Sequence, residues 1–592
     1  MKEIAFLYQE LHDFLGRGNI SGELCQQIRD IIQTSVDAIP AGARVAIRGG
    51  GAHTSRLLDA FDFTGKNIVG IFDRKKVAET QRGYPCYGAE ELPKMDCGYV
   101  VLSSFYYRQE LLEEARSYAA RTVDIYGALE ERGIRLIGQF DQYGPESPLV
   151  LNFFYLRYLE NRGTPEEGQC VTELLQAAVE LKDFVMVYRI FQESGGADGE
   201  NKTVLEAWAR TEKLLRAIRL RVDQRKQRDI MIFWTDAVSY YQLSQLPLTE
   251  RAAEAGCFFR RAYTPTPFTQ QTLCAMFTGM LPIDDYGPAQ EPVRRENSSL
   301  LRYLEERDYD VKFISHLEDS MDRPHRIAAT LNASCNVKWW LGLERWLSSE
   351  KPCCYIFHLL VESHEPNLSP ELRDVVDTTV SSPRQERQRA ASIAYLDRCL
   401  ALYRALAGDT VQVFLGDHGQ YVFPSASWSE ERLHTYCFAL GKNIPPARID
   451  RFFPYQRFEH FVRWLVEPEA NPLENACADE AVFQDTDFYN PERIGVFIRR
   501  NMPREGIAVR GVVDGTGRYA LNGLGEETYY LRGEDGSEKP GELDGARRQA
   551  LREKCGTKFL DISQKEEFRH ARALYEYLRQ GAQPRESERP AR

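Results

Sequence analysis

No run of this chain is long and apolar enough to span a membrane. Its amino terminus, Met1-Lys2-Glu3-Ile4-Ala5-Phe6-Leu7, lacks the basic segment and long apolar stretch of an export signal. Those absences predict a chain with no transmembrane segment, working in the cytoplasm. There is no basic excess either: the formal net charge is −12, so nucleic acid, whose phosphates want a basic field, is not an expected partner. Thirteen cysteines are present, yet none stands in a Cys-x-x-Cys pair, and Cys353 and Cys354 are adjacent inside a predicted strand. Their scatter predicts reduced, packed thiols rather than a disulfide framework or a zinc-type site. What is left is an ordinary globular composition, 43% hydrophobic and 27% charged, in 592 residues, too many for one hydrophobic core.

Within that composition two stretches share one design. Val411-Gln412-Val413-Phe414-Leu415 is a β-branched and aromatic run without charge that stops in Gly416-Asp417-His418-Gly419. A run of this kind predicts a buried parallel strand, and the Asp-His pair then stands at the carboxyl end, where open α/β sheets hold their ligands. Asp229-Ile230-Met231-Ile232-Phe233-Trp234-Thr235-Asp236 repeats the pattern, again with a carboxylate at the end. Between them lies Tyr263-Thr264-Pro265-Thr266-Pro267-Phe268-Thr269-Gln270-Gln271-Thr272, which turns from a Pro-rich loop into a helix that runs to Thr278-Gly279. A hydroxyl at such a helix start faces free backbone N–H groups that favour an anion. Thr264 and Thr266 each precede a proline and are held extended, and Thr272 lies a turn inside the helix, so Thr269 is the threonine at the entrance.

The order of Asp236, the threonine turn with Thr269 and Thr278-Gly279, Phe357-His358 through His364-Glu365-Pro366, and Gly416-Asp417-His418-Gly419 resembles the sulfatase-like branch of the alkaline phosphatase superfamily. The resemblance covers about residues 226 to 470, and at its widest 540. It is closest to the phosphoethanolamine and phosphoglycerol transferases, in which a metal-bound threonine is the nucleophile. Thr269 stands nine residues before Thr278, as the nucleophile does in that pattern. No Cys-x-Pro-x-Arg or Ser-x-Pro-x-Arg occurs here, so the formylglycine chemistry of arylsulfatases is not implied, and the family name describes fold rather than substrate. The resemblance implies one divalent ion, zinc or manganese, held by Asp236, Thr269, Asp417 and His418. It also implies that His364 contacts the ester oxygens or leaving group, and that His434 serves substrate binding or a second metal. His358, inside its strand, is expected to be a satisfied core imidazole, and His316 is expected to be structural. The resembling transferases are generally membrane-anchored and act outside the cytoplasm, which sets this chain apart from their lipid-donor chemistry.

Ahead of this region, Arg44-Val45-Ala46-Ile47-Arg48-Gly49-Gly50-Gly51-Ala52-His53-Thr54 passes from strand to glycine turn to helix, and a second strand ends at Asp73. This is the layout of a first Rossmann unit, with Thr54 where a third glycine would be. Gly49, Gly51 and Asp73 are its candidate contacts to a nucleotide or nucleotide-sugar, with a ligand-free scaffold as the favoured alternative. Residues 1 to about 40 read as helical, with Phe6, Leu7, Leu11, Phe14 and Leu15 at helix spacing. Leu149 to Leu159, Val171 to Phe191 and Thr203 to Val222 read as amphipathic helices without a repeat, and the basic run Arg219 to Arg228 as a solvated helix end.

The expected fold class is α/β: an alkaline phosphatase-like sheet flanked by helices with a small C-terminal antiparallel subdomain, preceded by a Rossmann-like domain and a helical connector. The expected divisions are 1–145 (Rossmann-like, with amino-terminal helices), 146–225 (connector), 226–490 (catalytic), 491–580 (antiparallel subdomain and a helix at Gln564 to Leu578) and a disordered tail, 581–592. The expected function is a metal-dependent hydrolase or transferase acting on phospho- or sulfo-esters through Thr269, on glycans or their precursors. The alternative is a catalytically silent protein of the same fold that recognises a glycan precursor.

Overall fold

The computed structural model describes residues 1–74, 80–281, 292–317, 320–360, 382–420, 428–485, 509–522, 525–533 and 537–555. His364, the expected helix at Gln564 to Leu578 and the tail 581–592 lie outside the described residues. Three sheets organise the rest. The first contains β1 (Arg44–Arg48), β2 (Asn67–Asp73), β3 (Thr80–Gln81), β4 (Tyr84–Gly88), β5 (Tyr99–Leu102) and β6 (Arg121–Asp124), in the order β3-β4-β2-β1-β5-β6. All its pairings are parallel except β3 with β4.

The amino-terminal helices Lys2–Leu15 and Ile20–Asp37 form as the periodicity predicts, but the buried stripe of the first is Ile4, Leu7, Leu11 and Leu15. Phe6 and Phe14 face outward. The connector consists of Pro148–Glu160, Glu167–Glu180, Phe184–Glu193 and Lys202–Asp223. The single helix expected over Val171 to Phe191 is two, because Lys182 adopts a left-handed φ of 60° and the Asp183 carboxylate accepts from Met186 N at 2.9 Å, capping a new helix. The basic run is only partly a solvated helix end. The side chain of Arg225 is covered where it pairs with Asp229 (Nε to Oδ2, 2.6 Å), and it donates to the carbonyls of Trp346 and Ser349. Asp229 also accepts from Cys353 N and Trp346 Nε1, so this pair closes the lower end of the second sheet.

That sheet has eight strands: β7 (Ile230–Thr235), β8 (Cys257–Tyr263), β9 (Asp310–Ser315), β10 (Arg326–Ala328), β11 (Cys353–Leu359), β12 (Val411–Gly416), β13 (His434–Leu440) and β14 (Ala447–Pro454). They lie in the order β10-β9-β11-β7-β12-β13-β8-β14, and β13 alone runs against the others. β7 and β12 are central, and every residue of both is buried. This explains their continuous apolar character, since a parallel strand covered on both faces has no solvent side. Helices such as Cys335–Ser348 and Ser382–Ala407 cover one face, where Trp339, Trp346 and Tyr403 pack with Phe233 and Phe357. On the other face Trp234, Ile356 and Leu415 pack with residues of the helices Thr269–Thr278, Ser299–Glu305 and Phe458–Val466.

The third sheet, β15 (Glu480–Asp485), β16 (Val509–Asp514), β17 (Gly517–Asn522), β18 (Glu527–Arg532) and β19 (Glu538–Pro540), is an antiparallel meander in sequence order. The helix Gly545–Cys555 packs on it through Leu551 and Cys555. It is tied to the second sheet by Arg532, whose Nη2 donates to Glu430 at 2.7 Å and to Tyr263 OH at 2.6 Å. The molecule is thus a mixed α/β fold with a large, mainly parallel sheet between helices and a small antiparallel sheet, the architecture expected from the sequence. All thirteen cysteines are free, and all but Cys97 and Cys274 are buried. Among the described residues no helix is long and apolar enough to cross a membrane.

Candidate metal centre

Register alone brings the two carboxylates together. β7 and β12 are parallel neighbours with Thr235 opposite Gly416, so Asp236 and Asp417 leave adjacent strands at the same level. The glycines around Asp417-His418 are required by close backbone approach. A Cβ on Gly416 would stand 2.0 Å from Val238 O, and one on Gly419 would stand 1.9 Å from Glu431 O. Ala237 turns the chain away from β7 in a left-handed conformation (φ 56°), which points its N–H at Asp417 Oδ1, 2.9 Å away. His418 N donates to the same oxygen at 2.7 Å. The other oxygen, Oδ2, is buried and makes no hydrogen bond to the described residues; His418 Nε2 lies 3.5 Å from it.

The imidazole of His418 is oriented for coordination. Nδ1 lies 2.9 Å from Gly419 O and must carry the proton to donate to it, which leaves the Nε2 lone pair directed inward. Thr269 is the first residue of the helix Thr269–Thr278 and is half-buried. Its Oγ1 lies 3.1 Å from Asp236 Oδ2 and 3.2 Å from His418 Nε2. The competing threonines are occupied elsewhere. Thr264 Oγ1 donates to Thr266 O and meets Thr272 Oγ1, while Thr266 Oγ1 bonds Gln271 Oε1 at 2.8 Å.

Ligand atoms of Asp236, Asp417 and His418 all lie within 4.8 Å of one another, and all three residues are buried. Burial, helped by the neighbouring Asp236 charge, pushes the Asp417 carboxyl above its ordinary range despite His418, His358 and the Ala237 N–H, which pull it down. Two buried carboxylates, a lone-pair nitrogen and a hydroxyl oxygen around one point form an electron-rich centre that a cation would neutralise. Hard oxygens plus one imidazole suit a divalent ion such as zinc or manganese.

His358, expected only as a core imidazole, is buried and also belongs to this centre. Its Nε2 lies 2.9 Å from Asp236 Oδ2, and its Nδ1 lies 2.9 Å from Ser315 Oγ. Leu317 N donates to Ser315 Oγ, so the serine hydroxyl can donate to Nδ1 and the ring proton stays on Nε2 for Asp236. The signal in the sequence was one polar residue in the otherwise apolar run Cys353–Leu359. His316 stacks on this ring at 5.5 Å.

The structure puts His434 in a different environment from the metal cluster. Its ring is sandwiched between Tyr240 (4.4 Å) and Tyr263 (4.8 Å), and Nε2 donates to Arg260 O at 2.8 Å. Burial lowers its pKa to about 3, with Arg532 and Arg261 adding to the effect of burial; Glu430, 3.5 Å from Nδ1, is itself bound by Arg532.

In the first sheet, Gly49 adopts φ 118° and a Cβ there would stand 2.5 Å from Ser103 O, so the turn needs this glycine. Asp73 Oδ2 accepts from Gly50 N at 2.5 Å, which spends one of its oxygens on holding the turn. Gly51, with φ −83°, is the N-cap of the helix Ala52–Ala60. The turn opens onto a cavity of about 480 Å³ lined by Arg48, Gly49, Gly51, His53, Asp73 and Ser103 among others.

No family model matches this chain, and no curated protein matches it. Among solved structures it is similar to a protein in the alkaline phosphatase superfamily from Vibrio parahaemolyticus, at 15% identity over 62% of this chain and 96% of that one, with a TM-score of 0.41. It is also similar to a putative sulfatase from Bacteroides thetaiotaomicron (14% identity, 59% and 94% covered, TM-score 0.40). A third is a phosphonate monoester hydrolase from Silicibacter pomeroyi (10% identity, 57% and 95% covered, TM-score 0.40). At such identities and superpositions, what this chain does has to come from the atoms of its own site.

Proposed function

We propose that this protein is a metal-dependent hydrolase or transferase of phospho- or sulfo-esters, with Thr269 as nucleophile. Asp236, Asp417, His418 and Thr269 would hold the ion. When bound, a divalent cation there supplies Lewis acidity, lowering the pKa of the hydroxyl and offsetting charge on the ester. The single observation that carries the proposal is the direction of Thr269 Oγ1, which alone among the threonines of its turn faces Asp236 and His418. Thr269 Oγ1 would bond to phosphorus or sulfur as the bond to the leaving oxygen breaks. The hydroxyl proton, directed at Asp236 Oδ2, would pass through solvent to the departing alcohol. Water or an acceptor alcohol would then release the group from Thr269. Free N–H groups at the start of the Thr269–Thr278 helix favour the anionic substrate.

In this proposal the ester is carried on a glycan or glycan precursor, with His364 and His434 as candidate contacts to its leaving side. For His434 that requires a substrate reaching the tyrosine-lined region around it. The cavity beside Gly49, Gly51 and Asp73 would take a nucleotide or nucleotide-sugar, or else the first sheet is a scaffold. The test of the main proposal is metal analysis of the purified protein and of Asp417→Ala, followed by aryl phosphate monoesters, diesters and sulfates with zinc or manganese. A stoichiometric ion lost in the variant, with release of one leaving group, is expected. Absence of metal and of turnover in the wild type would refute it.

A further inference from the structure

One buried cation beside the carboxylates is not used by the ligand set. Arg389, on the helix Ser382–Ala407, is 8% exposed. Its Nη2 donates to Ala237 O at 2.5 Å, while Nε and Nη1 are buried and make no hydrogen bond to the described residues. Ala237 is the left-handed residue whose N–H holds Asp417, so the guanidinium and both carboxylates are anchored on one two-residue turn. Burial depresses the Arg389 pKa to about 10 and only the Asp236 charge opposes it. A guanidinium presents its donors as a planar fork that matches two oxygens of a carboxylate, phosphate or sulfate. Leaving two of its nitrogens unsatisfied and buried is expensive, on the order of a few kcal/mol, and such groups in native proteins call for an explanation. A side chain needed only to balance Asp236 would be expected to turn that fork onto the carboxylate itself. Arg389 instead spends Nη2 on a backbone carbonyl and leaves Nε and Nη1 buried without a partner among the described residues.

We infer that Arg389 is an anion-binding residue of the site, receiving two non-bridging oxygens of the tetrahedral ester group through its unpartnered Nε and Nη1. The inference deepens the ester-processing proposal above and rests on it for the identity of the anion. It assigns to this arginine the recognition of a doubly oxygenated anionic centre, phosphate or sulfate, independent of what the ester is attached to.

The test is calorimetric titration of inorganic phosphate and of sulfate into zinc-loaded wild type, Arg389→Gln and Arg389→Lys, after the metal content of each has been measured. Arg389→Gln should weaken the preferred anion about tenfold or more, as loss of a charge-assisted pair of hydrogen bonds does, with zinc content unchanged. Arg389→Lys, which keeps charge but not the fork, should fall between the two. In the wild type, the anion should also protect Arg389 from an arginine-directed dicarbonyl reagent in peptide mapping, a readout that does not depend on either variant folding. Equal anion affinity in metal-loaded wild type and Arg389→Gln, equal modification with and without anion, or no binding of either anion by the wild type would each overturn the inference. A wild type that takes up no metal yet binds phosphate through Arg389 would instead sink the metal-enzyme proposal and leave the anion site standing.

Discussion

At the residue scale, the proposed centre gives Thr269, His358 and Asp417 separable roles. Thr269→Ala removes the hydroxyl from a half-buried position without opening a core cavity, so folding and most metal affinity should persist while turnover falls by about a thousandfold or more. A phosphorylated peptide mapped to Thr264, Thr266 or Thr272 after a substrate pulse would contradict this. Those hydroxyls are bonded within their own turn, and removing one should cost about 1 kcal/mol of stability rather than chemistry. His358 donates to Asp236 Oδ2, the same oxygen that Thr269 Oγ1 contacts, and so orients that carboxylate. His358→Gln should therefore lower metal affinity about 10- to 100-fold, the usual effect of losing a group that orients a ligand, measured by chelator competition. Affinity equal to wild type would make His358 the plain core imidazole that the sequence suggested. Because the Asp417 carboxyl is raised in the metal-free protein, protons compete with the ion, and metal affinity should fall as pH is lowered.

At the scale of elements, the two glycine turns make opposite claims that substitution can separate. Gly416→Ala and Gly419→Ala each drive a methyl into a backbone carbonyl. Both should destabilise by about 2 kcal/mol or more and displace the proposed ligands Asp417 and His418, seen as a lowered melting temperature and loss of any bound metal. In the first sheet, Gly49→Ala meets both a left-handed φ and Ser103 O, whereas Gly51 has an ordinary φ and nothing within 4 Å of its Cβ position. Gly51→Ala should thus leave stability within about 0.5 kcal/mol of wild type. If a nucleotide phosphate approaches that turn, the same methyl will abolish its binding, and calorimetry with a nucleotide panel reads the outcome. No binding by either protein would leave the scaffold alternative. The Asp229–Arg225 pair was legible only as a strand start and a basic run; its burial depends on Trp346 and Cys353, more than a hundred residues away.

For the whole molecule, two neutral imidazoles link stability to pH. His53 is held between Tyr126 OH (2.6 Å) and Ser103 Oγ (3.0 Å), and burial, with Arg56, lowers its pKa to about 4. His434 is lowered to about 3. An unfolded histidine titrates near 6.5, so below that pH unfolding takes up protons that the fold excludes. The contribution is fully present above about pH 6.5 and is lost as pH falls toward the folded values. By pH 5 each ring should account for about 2 kcal/mol of the loss, and His53→Gln should flatten the dependence. Denaturant midpoints measured in chelator keep the metal centre out of this comparison. If zinc occupies the proposed centre, which exists only in the folded chain, the melting temperature should rise with free metal.

The sequence by itself determined the strands that end in Asp236 and Asp417, the helix that starts at Thr269, the parallel character of the large sheet and the meander that follows it. Each is a local consequence of apolar runs, glycine stops and proline turns, and local patterns are visible one segment at a time. The left-handed break at Lys182, and β8 and β14 among the large sheet's strands, were not read because charged residues interrupt their apolar runs. Tertiary structure alone decided what surrounds the carboxylates. His358 reaches Asp236 because β11 pairs with β7 and sets His358 opposite Trp234, and Arg389 reaches Ala237 from a helix laid over the sheet. Strand order and helix packing are set by which surfaces bury one another across more than a hundred residues of chain, and no spacing in the sequence records that choice.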